Sequence, residues 1–179
     1  MSKTGLFFGS FNPIHIGHIA IAGYMKEFTD LDQVWFVVSP QNPLKKKDTL
    51  LPDRQRLYLV DLAIKGNDDL RSSDIEFGRP LPSYTIDTMA LLTERHPRNS
   101  FVLVMGEDNL YTLHKWKNAA ELVSRFPLYV YPRPDTARKE NPILDEILSK
   151  AVIKWVKAPL MDISGTFIRG GIKRGRNMS

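Results

Sequence analysis

Six short apolar segments recur along the chain, and most are rich in valine, isoleucine and aromatic residues, as buried β-strands are. They cover residues 4–8, 34–38, 70–75, 101–105, 128–131 and 151–156. The stretches between them have apolar residues at helical spacing. Alternating strands and helices predict an α/β fold with a doubly wound parallel sheet, formed as a single domain over residues 1–179.

Three of the intervening stretches put apolar side chains on one face of a predicted helix. The sets are Ile21, Met25 and Phe28; Leu57, Val60 and Ile64; and Ile86, Met89 and Ala90. Pro52 and Asp53 suit the first turn of the second helix, and Gly66 suits its end. Ser83 can cap the third helix. Because ligands of such sheets bind beyond the carboxyl ends of the strands, motifs that follow strands are the candidates for chemistry.

Composition narrows the functional classes. The 179 residues include no cysteine, which excludes disulfides, thiolate metal sites and cysteine nucleophiles and favours a reducing compartment. No apolar run is long enough for a signal peptide or a membrane span, so a cytoplasmic protein without a membrane partner is expected. The 25 Lys and Arg against 20 Asp and Glu leave a net charge of +5, which suits an anionic ligand.

The first strand is followed by Gly-Ser-Phe-Asn-Pro-Ile-His-Ile-Gly-His at residues 9–18. Glycine lets a backbone approach a ligand closely, and a new helix directs free N–H groups and its positive dipole end at an anion. His15 and His18 lie three residues apart, so both imidazoles can face one phosphate. Metal ligation or a purely structural role are the alternatives, whereas His96 and His114 have no such context.

A second candidate anion site occupies residues 163–169, Ile-Ser-Gly-Thr-Phe-Ile-Arg. Ser164 is a good helix cap, Thr166 offers a hydroxyl in the first turn, and Arg169 has a planar fork that suits phosphate. Alone, this segment is more simply interpreted as a capped surface helix with a solvated arginine. Together with the histidine turn, it indicates that two helix starts bind one polyanion.

Three features of the central part of the chain could bind a second ligand beside the polyanion. Residues 83–88, Ser-Tyr-Thr-Ile-Asp-Thr, open the third predicted helix and offer N–H groups and hydroxyls to a small anion. Asp108 follows the fourth apolar segment, where a carboxylate can accept hydrogen bonds from ribose. Trp116 can stack on a flat heteroaromatic ring, although a core position would suit it equally.

The two terminal motifs resemble the G-x-F-x-P-x-H-x-G-H and I-S-x-T-x-I-R elements of the nucleotidylyltransferase superfamily, whose core is Rossmann-like. His-Ile-Gly-His also matches the signature of class I aminoacyl-tRNA synthetases. Their Lys-Met-Ser-Lys-Ser loop and tRNA-binding region are not visible. With the central features, the chain resembles the nicotinate or nicotinamide mononucleotide adenylyltransferases, and we favour the bacterial nicotinate-preferring branch.

The resemblance implies that AMP passes from ATP to nicotinic acid mononucleotide, giving nicotinic acid adenine dinucleotide and pyrophosphate in NAD biosynthesis. The catalytic residues that it implies are His15, His18, Lys45 and Arg169. The implied ATP contacts are Gly9, Ser10, Phe11, His18, Gly106, Asp108, Ile163, Ser164, Thr166 and Arg169. The implied pyridine-nucleotide contacts are Asn42, Lys45, Tyr84, Thr85 and Trp116. Mg²⁺ is expected on substrate phosphates, with no protein metal site.

Two alternatives remain. Phosphopantetheine adenylyltransferase shares a related histidine turn but needs neither a pyridine-stacking tryptophan nor the Ser-Tyr-Thr element. A basic nucleic-acid-binding module would use the basic segment 172–176, yet it leaves the glycines and histidines unexplained, so no nucleic-acid partner is expected. Residues 175–179 resemble the start of a longer C-terminal segment in the family. A shortened terminus is therefore expected, and a homo-oligomer remains open.

Overall fold

The computed structural model describes residues 1–40, 50–134, 136–158 and 163–176. Six parallel strands form one sheet in the order β3-β2-β1-β4-β5-β6, which is a Rossmann-like doubly wound arrangement. The strands are β1 Ser2–Gly9, β2 Gln33–Val38, β3 Leu70–Ser73, β4 Asn99–Gly106, β5 Leu128–Tyr131 and β6 Ile153–Trp155. The six predicted strands and their parallel pairing are thus confirmed.

Helices connect the strands and cover both faces of the sheet. They are α1 Ile16–Phe28, α2 Asp53–Ile64, α3 Thr85–Arg95, α4 Glu107–Leu110, α5 Ala119–Arg125, α6 Pro142–Leu148 and α7 Gly165–Lys173, with a 3₁₀ turn at Leu113–Lys115. Strand order reverses at β1, which pairs with β2 on one side and β4 on the other. The loops that follow β1 and β4 therefore lie side by side, and a crevice at this position is where ligands bind in doubly wound sheets.

Two apolar clusters pack against opposite faces of the sheet. Leu6 and Leu103 belong to one cluster, with Met89 of α3, while Phe7 and Phe36 belong to the other, with Met25 of α1. Successive residues of a strand point to opposite faces, so a strand covered on both faces is apolar throughout. This is why the strands stand out in the sequence as continuous apolar runs.

Two local predictions were wrong. Phe28 does not join Ile21 and Met25 in the core, because 65% of its surface is exposed and its ring stacks on Tyr24 instead. Ser83 does not cap α3. Its hydroxyl donates to the Glu76 carboxylate at 2.7 Å, and the cap position passes to the next residue.

The predicted start and end of α2 are confirmed. Pro52 precedes its first residue, Asp53, and Gly66 follows it with a φ of +87°, a conformation that glycine adopts without strain. Among the described ranges, no helix is long and apolar enough to cross a bilayer.

Asp30 anchors the amino ends of three strands. Its carboxylate lies 2.5 Å from Lys3 Nζ in β1 and 3.1 Å from Lys154 Nζ in β6, and it accepts a hydrogen bond from the Tyr129 hydroxyl in β5. These contacts, the Lys3 hydrogen bond first, hold the pKa of Asp30 well below its ordinary value. The anchor lies at the end of the sheet opposite to the crevice.

Replacing Asp30 with Asn should lower the free energy of unfolding by about 1 kcal/mol at pH 7, a modest value because the carboxylate is half exposed. A carboxyl with a depressed folded-state pKa stabilises above the unfolded pKa of about 3.9 and loses that effect as the pH falls. The difference between wild type and variant should therefore shrink below about pH 4. Urea unfolding at several pH values measures it, with the exposed Asp68→Asn as control. Equal stability at pH 7 would contradict the anchoring role.

Candidate active site

The turn after β1 is shaped by a glycine and a buried phenylalanine. Phe11 has a φ of +42° and folds its ring back under the turn, where only 2% of its surface is exposed. A Cβ on Gly9 would lie 2.7 Å from Phe11 Cζ, so no other residue fits at that position without a shift. The ring packs edge-on against Phe36 and His18. Phe11 can therefore meet a ligand only through its backbone.

His15 and His18 lie together at the start of α1. Their rings stack with centroids 3.7 Å apart and an interplanar angle of 28°. The backbone N–H of His15 donates to His18 Nδ1 at 3.3 Å. A neutral imidazole that accepts at Nδ1 carries its proton on Nε2, so His18 has an Nε2–H donor.

The electrostatic environment of His15 is unusual for an imidazole. Burial first, and the nearby positive charge of Arg133 second, hold the pKa of His15 below its ordinary value of 6.5. The neutral form of this imidazole is therefore favoured. Its Nδ1 atom is buried, and no hydrogen-bond partner for it exists within the described parts of the chain. An anion bound here would oppose the influence of burial and of Arg133 on this pKa, because a nearby negative charge favours the imidazolium.

The start of α7 lies against this turn. Ser164 caps α7 as predicted, since its Oγ accepts from the Phe167 N–H at 3.2 Å. Arg169 donates from Nη1 to the Asn12 carbonyl at 2.6 Å, across 157 positions of sequence, and from Nη2 to Thr166 Oγ1 at 3.1 Å. The structure therefore brings the two predicted anion motifs together.

Close approach of α7 depends on its first residue. A Cβ on Gly165 would lie 3.1 Å from the Asn12 carbonyl oxygen and 2.9 Å from Arg169 Nη1. A larger residue would thus press α7 away from the turn or displace the arginine. Ile163, which precedes the cap, is half-buried. Ser10 of the turn is also half-buried, and its carbonyl accepts from a buried arginine, Arg56.

Arg133, just after β5, lies beside Asp108 and His15. It was not identified from the sequence as a site residue. Its Nε lies 3.7 Å from Asp108 Oδ1, and its charge acts on His15. A Cβ on Gly106, where β4 ends, would clash with the Asp108 carboxylate and lie 3.1 Å from Arg133 Cγ, so this glycine makes room for both charged side chains. Arg133 follows a predicted parallel strand by two residues. Because ligands bind beyond the carboxyl ends of such strands, this position could have been recognised in the sequence.

Two of the segments assigned to a pyridine nucleotide, at the start of α3 and at Trp116, are linked in the structure. Tyr84 and Thr85 begin α3, and Tyr84 packs with Trp116 against the same apolar cluster. Lys117 links the two segments, because its Nζ lies 4.6 Å from the Tyr84 ring centroid and 2.9 Å from the Asp87 carboxylate. The indole N–H of Trp116 is buried and has no hydrogen-bond partner within the described ranges.

Two predicted contacts, Asn42 and Lys45, lie outside the described residues. Within the described ranges, no three His, Asp or Glu side chains are grouped so as to hold a metal ion. The turn and α7 instead present two imidazoles, a guanidinium, backbone N–H groups and hydroxyls. Such donors suit a polyanion.

The chain is similar to several known proteins. A family model described as cytidylyltransferase-like matches residues 6–171. The protein named probable nicotinate-nucleotide adenylyltransferase in Flavobacterium psychrophilum is 52% identical over 176 residues, covering 98% of this chain and 89% of its own length. The protein of the same name in Bacteroides fragilis is 43% identical over 177 residues, covering 99% and 85%.

Solved structures share the fold. The nicotinic acid mononucleotide adenylyltransferase of Plasmodium falciparum, complexed with NaAD, superposes with a TM-score of 0.80 over 99% of this chain and 87% of its own, at 18% identity. The same enzyme complexed with APC superposes with a TM-score of 0.79. From the family model and the close relatives together, the chain belongs to the cytidylyltransferase-like family and, within it, to the nicotinate-nucleotide adenylyltransferases.

Proposed function

We propose that this protein transfers the AMP group of ATP to the 5′-phosphate of nicotinic acid mononucleotide, forming nicotinic acid adenine dinucleotide and pyrophosphate. The observation that carries this proposal is the contact between Arg169 and the Asn12 carbonyl. It places the start of α7 against the turn that leads into α1, so that donors from both can meet one triphosphate. The relatives' names support the choice of acceptor.

The reaction requires alignment more than acid or base catalysis. An oxygen of the acceptor phosphate forms a bond to the α-phosphorus of ATP, and the bond from that phosphorus to the bridging oxygen breaks, so pyrophosphate leaves with the electron pair. The acceptor phosphate is already ionised at pH 7. The protein therefore contributes mainly position and charge neutralisation.

Each group of the crevice has a proposed part. His18 donates from Nε2–H to an oxygen on the phosphorus under attack, where charge develops. His15, whose ring stacks on His18, becomes a better donor when a phosphate binds, because the negative charge favours its imidazolium form. Arg169 and the start of α7 hold the leaving phosphates. Arg133 adds a positive charge beside His15, and Asp108 accepts hydrogen bonds from a ribose. We assign Lys45 to a phosphate from its sequence context.

A Mg²⁺ ion fits this site only when it is bound to the phosphates of the substrate. Mg²⁺ prefers oxygen ligands, whereas the crevice offers mostly imidazole and cationic groups, and Asp108 is paired with Arg133. The triphosphate oxygens would therefore supply most ligands, and the ion would neutralise the departing pyrophosphate. The chain's own residues still set the positions of the reacting groups.

The acceptor's ring is assigned to the space beside Trp116. Tyr84 and Trp116 supply aromatic surface, and the N-terminal end of α3, which starts at Thr85, supplies N–H groups for a carboxylate on the ring. A negative ring substituent at that helix end is favoured by the helix dipole. This favours the acidic pyridine over the amidated one.

Incubating the protein with ATP, Mg²⁺ and one acceptor at a time tests the proposed reaction directly. Nicotinic acid mononucleotide should give the dinucleotide and pyrophosphate, with slower conversion of nicotinamide mononucleotide and none of 4′-phosphopantetheine. Mass spectrometry identifies each product. A product only with phosphopantetheine, or with no acceptor at all, would show that the proposal is wrong.

Replacing His18 with Ala should lower kcat by roughly 10²-fold or more, the usual loss when one preorganised donor is removed. The exposed His96→Ala, at the end of α3, serves as a matched control and should keep wild-type kcat. Thermal unfolding checks that both variants fold. Full turnover in a folded His18→Ala variant would remove this residue from the mechanism.

Replacing Trp116 with Ala should raise the KM for the pyridine nucleotide roughly 10-fold, since a stacked base contributes about 1–3 kcal/mol. The KM for ATP should change much less. Trp116→Phe keeps an aromatic face and should recover most of the loss, which separates stacking from loss of packing. Equal changes in both KM values would count against a stacking role.

A further inference from the structure

Arg56, in the first turns of α2, is a buried arginine that the reaction described above does not use. Only 1% of its surface is exposed. Its Nε donates to the Leu51 carbonyl at 2.9 Å, and its Nη1 donates to the carbonyls of Ser10 at 2.5 Å and Ser39 at 2.8 Å. Its Nη2 donates to the Pro40 carbonyl at 3.2 Å. One guanidinium thus joins three separate stretches of backbone.

Holding a charged group in this position has a cost. Burial lowers the pKa of Arg56, and the charge of Asp53 in the same helix opposes this only in part. Burying a charge without a carboxylate in direct contact is unfavourable, and an apolar side chain would fill a core position at lower cost. Packing alone therefore does not explain why a guanidinium occupies this buried position.

The carbonyls that Arg56 binds connect the histidine turn with the segments after β2 and before α2. Ser10 belongs to the turn that carries the histidines. Ser39 and Pro40 follow β2, and Leu51 precedes α2, so these carbonyls come from the two sequence flanks of residues 41–49, where the predicted phosphate contact Lys45 occurs. Arg56 fixes these flanks to the turn without itself facing solvent.

A second set of hydrogen bonds extends this connection to α7. The backbone N–H of Leu51 donates to Asn12 Oδ1 at 3.0 Å, and the Asn12 carbonyl accepts from Arg169 at 2.6 Å. Asn12 is itself buried. Arg56, Leu51, Asn12 and Arg169 therefore form one continuous chain of contacts from the core to the proposed triphosphate site.

We propose that Arg56 is a positioning residue for adenylyl transfer, holding the turn at residues 9–12 in the geometry in which α7 and the histidines act on the same triphosphate. Its fork allows one side chain to bind carbonyls in three directions, which the single ammonium of lysine cannot reproduce. A displacement of about 1 Å at such a turn can cost about 10²-fold in rate. The inference rests on the proposed function.

Steady-state kinetics of Arg56→Lys and Arg56→Met test the role. We expect kcat to fall about 10²-fold and the KM for ATP to rise, with a smaller change in the KM for the pyridine nucleotide. Arg54→Lys, exposed on the same helix, is the matched control and should keep wild-type kinetics. A purely structural arginine would lower the melting temperature and leave kcat and KM of the folded variant unchanged, which would overturn the proposal.

If the variants fail to fold, hydrogen–deuterium exchange of the wild type tests the positioning role of Arg56. Adding a non-hydrolysable ATP analogue should slow exchange both in peptides of the turn at residues 9–14 and in peptides covering residues 50–56. Protection confined to the turn would overturn the positioning role. A wild type that forms no dinucleotide would overturn the proposed function, whereas normal product with unaltered Arg56→Lys kinetics overturns only this inference.

Discussion

One hydrogen bond joins the beginning and the end of the site. Arg169 reaches 157 positions back along the sequence to the Asn12 carbonyl, and Gly165 leaves the room for this approach. Without the contact, each helix start would be an ordinary surface helix with a few exposed donors. With it, the start of α7 lies against the turn that carries the two imidazoles, and a triphosphate is the kind of ligand whose charge can engage donors from both segments.

The sheet explains why such distant segments meet. Strand order reverses between β2 and β4 on either side of β1, so the loops after β1 and β4 open beside each other. Arg133 and Asp108 come from this edge, and the histidine turn comes from the next strand. The opposite end of the sheet is held by Asp30 and its cationic partners, so stability and proposed chemistry are placed at separate ends of the molecule.

The strands and the terminal motifs could be predicted because their signals are local: a strand buried on both faces is a run of apolar residues, and the cap at Ser164 precedes its own helix. Phe28, Ser83 and Arg56 could not be predicted in the same way. Phe28 has the right spacing for a core residue, yet none of the described elements covers it, and Ser83 donates to the buried Glu76 instead of capping the helix. For Arg56, the deciding partners are carbonyls up to 46 positions away, which no local pattern contains.

In the proposed reaction, the turn at residues 9–18 and the start of α7 bind one triphosphate together. A crystal structure with a non-hydrolysable ATP analogue tests this shared binding. Phosphate oxygens of a single bound molecule should lie within hydrogen-bond distance of a His15 or His18 nitrogen and of Arg169 or the N–H groups that follow Ser164. A triphosphate that contacts only one of these two segments, with the other left to solvent, would contradict the account.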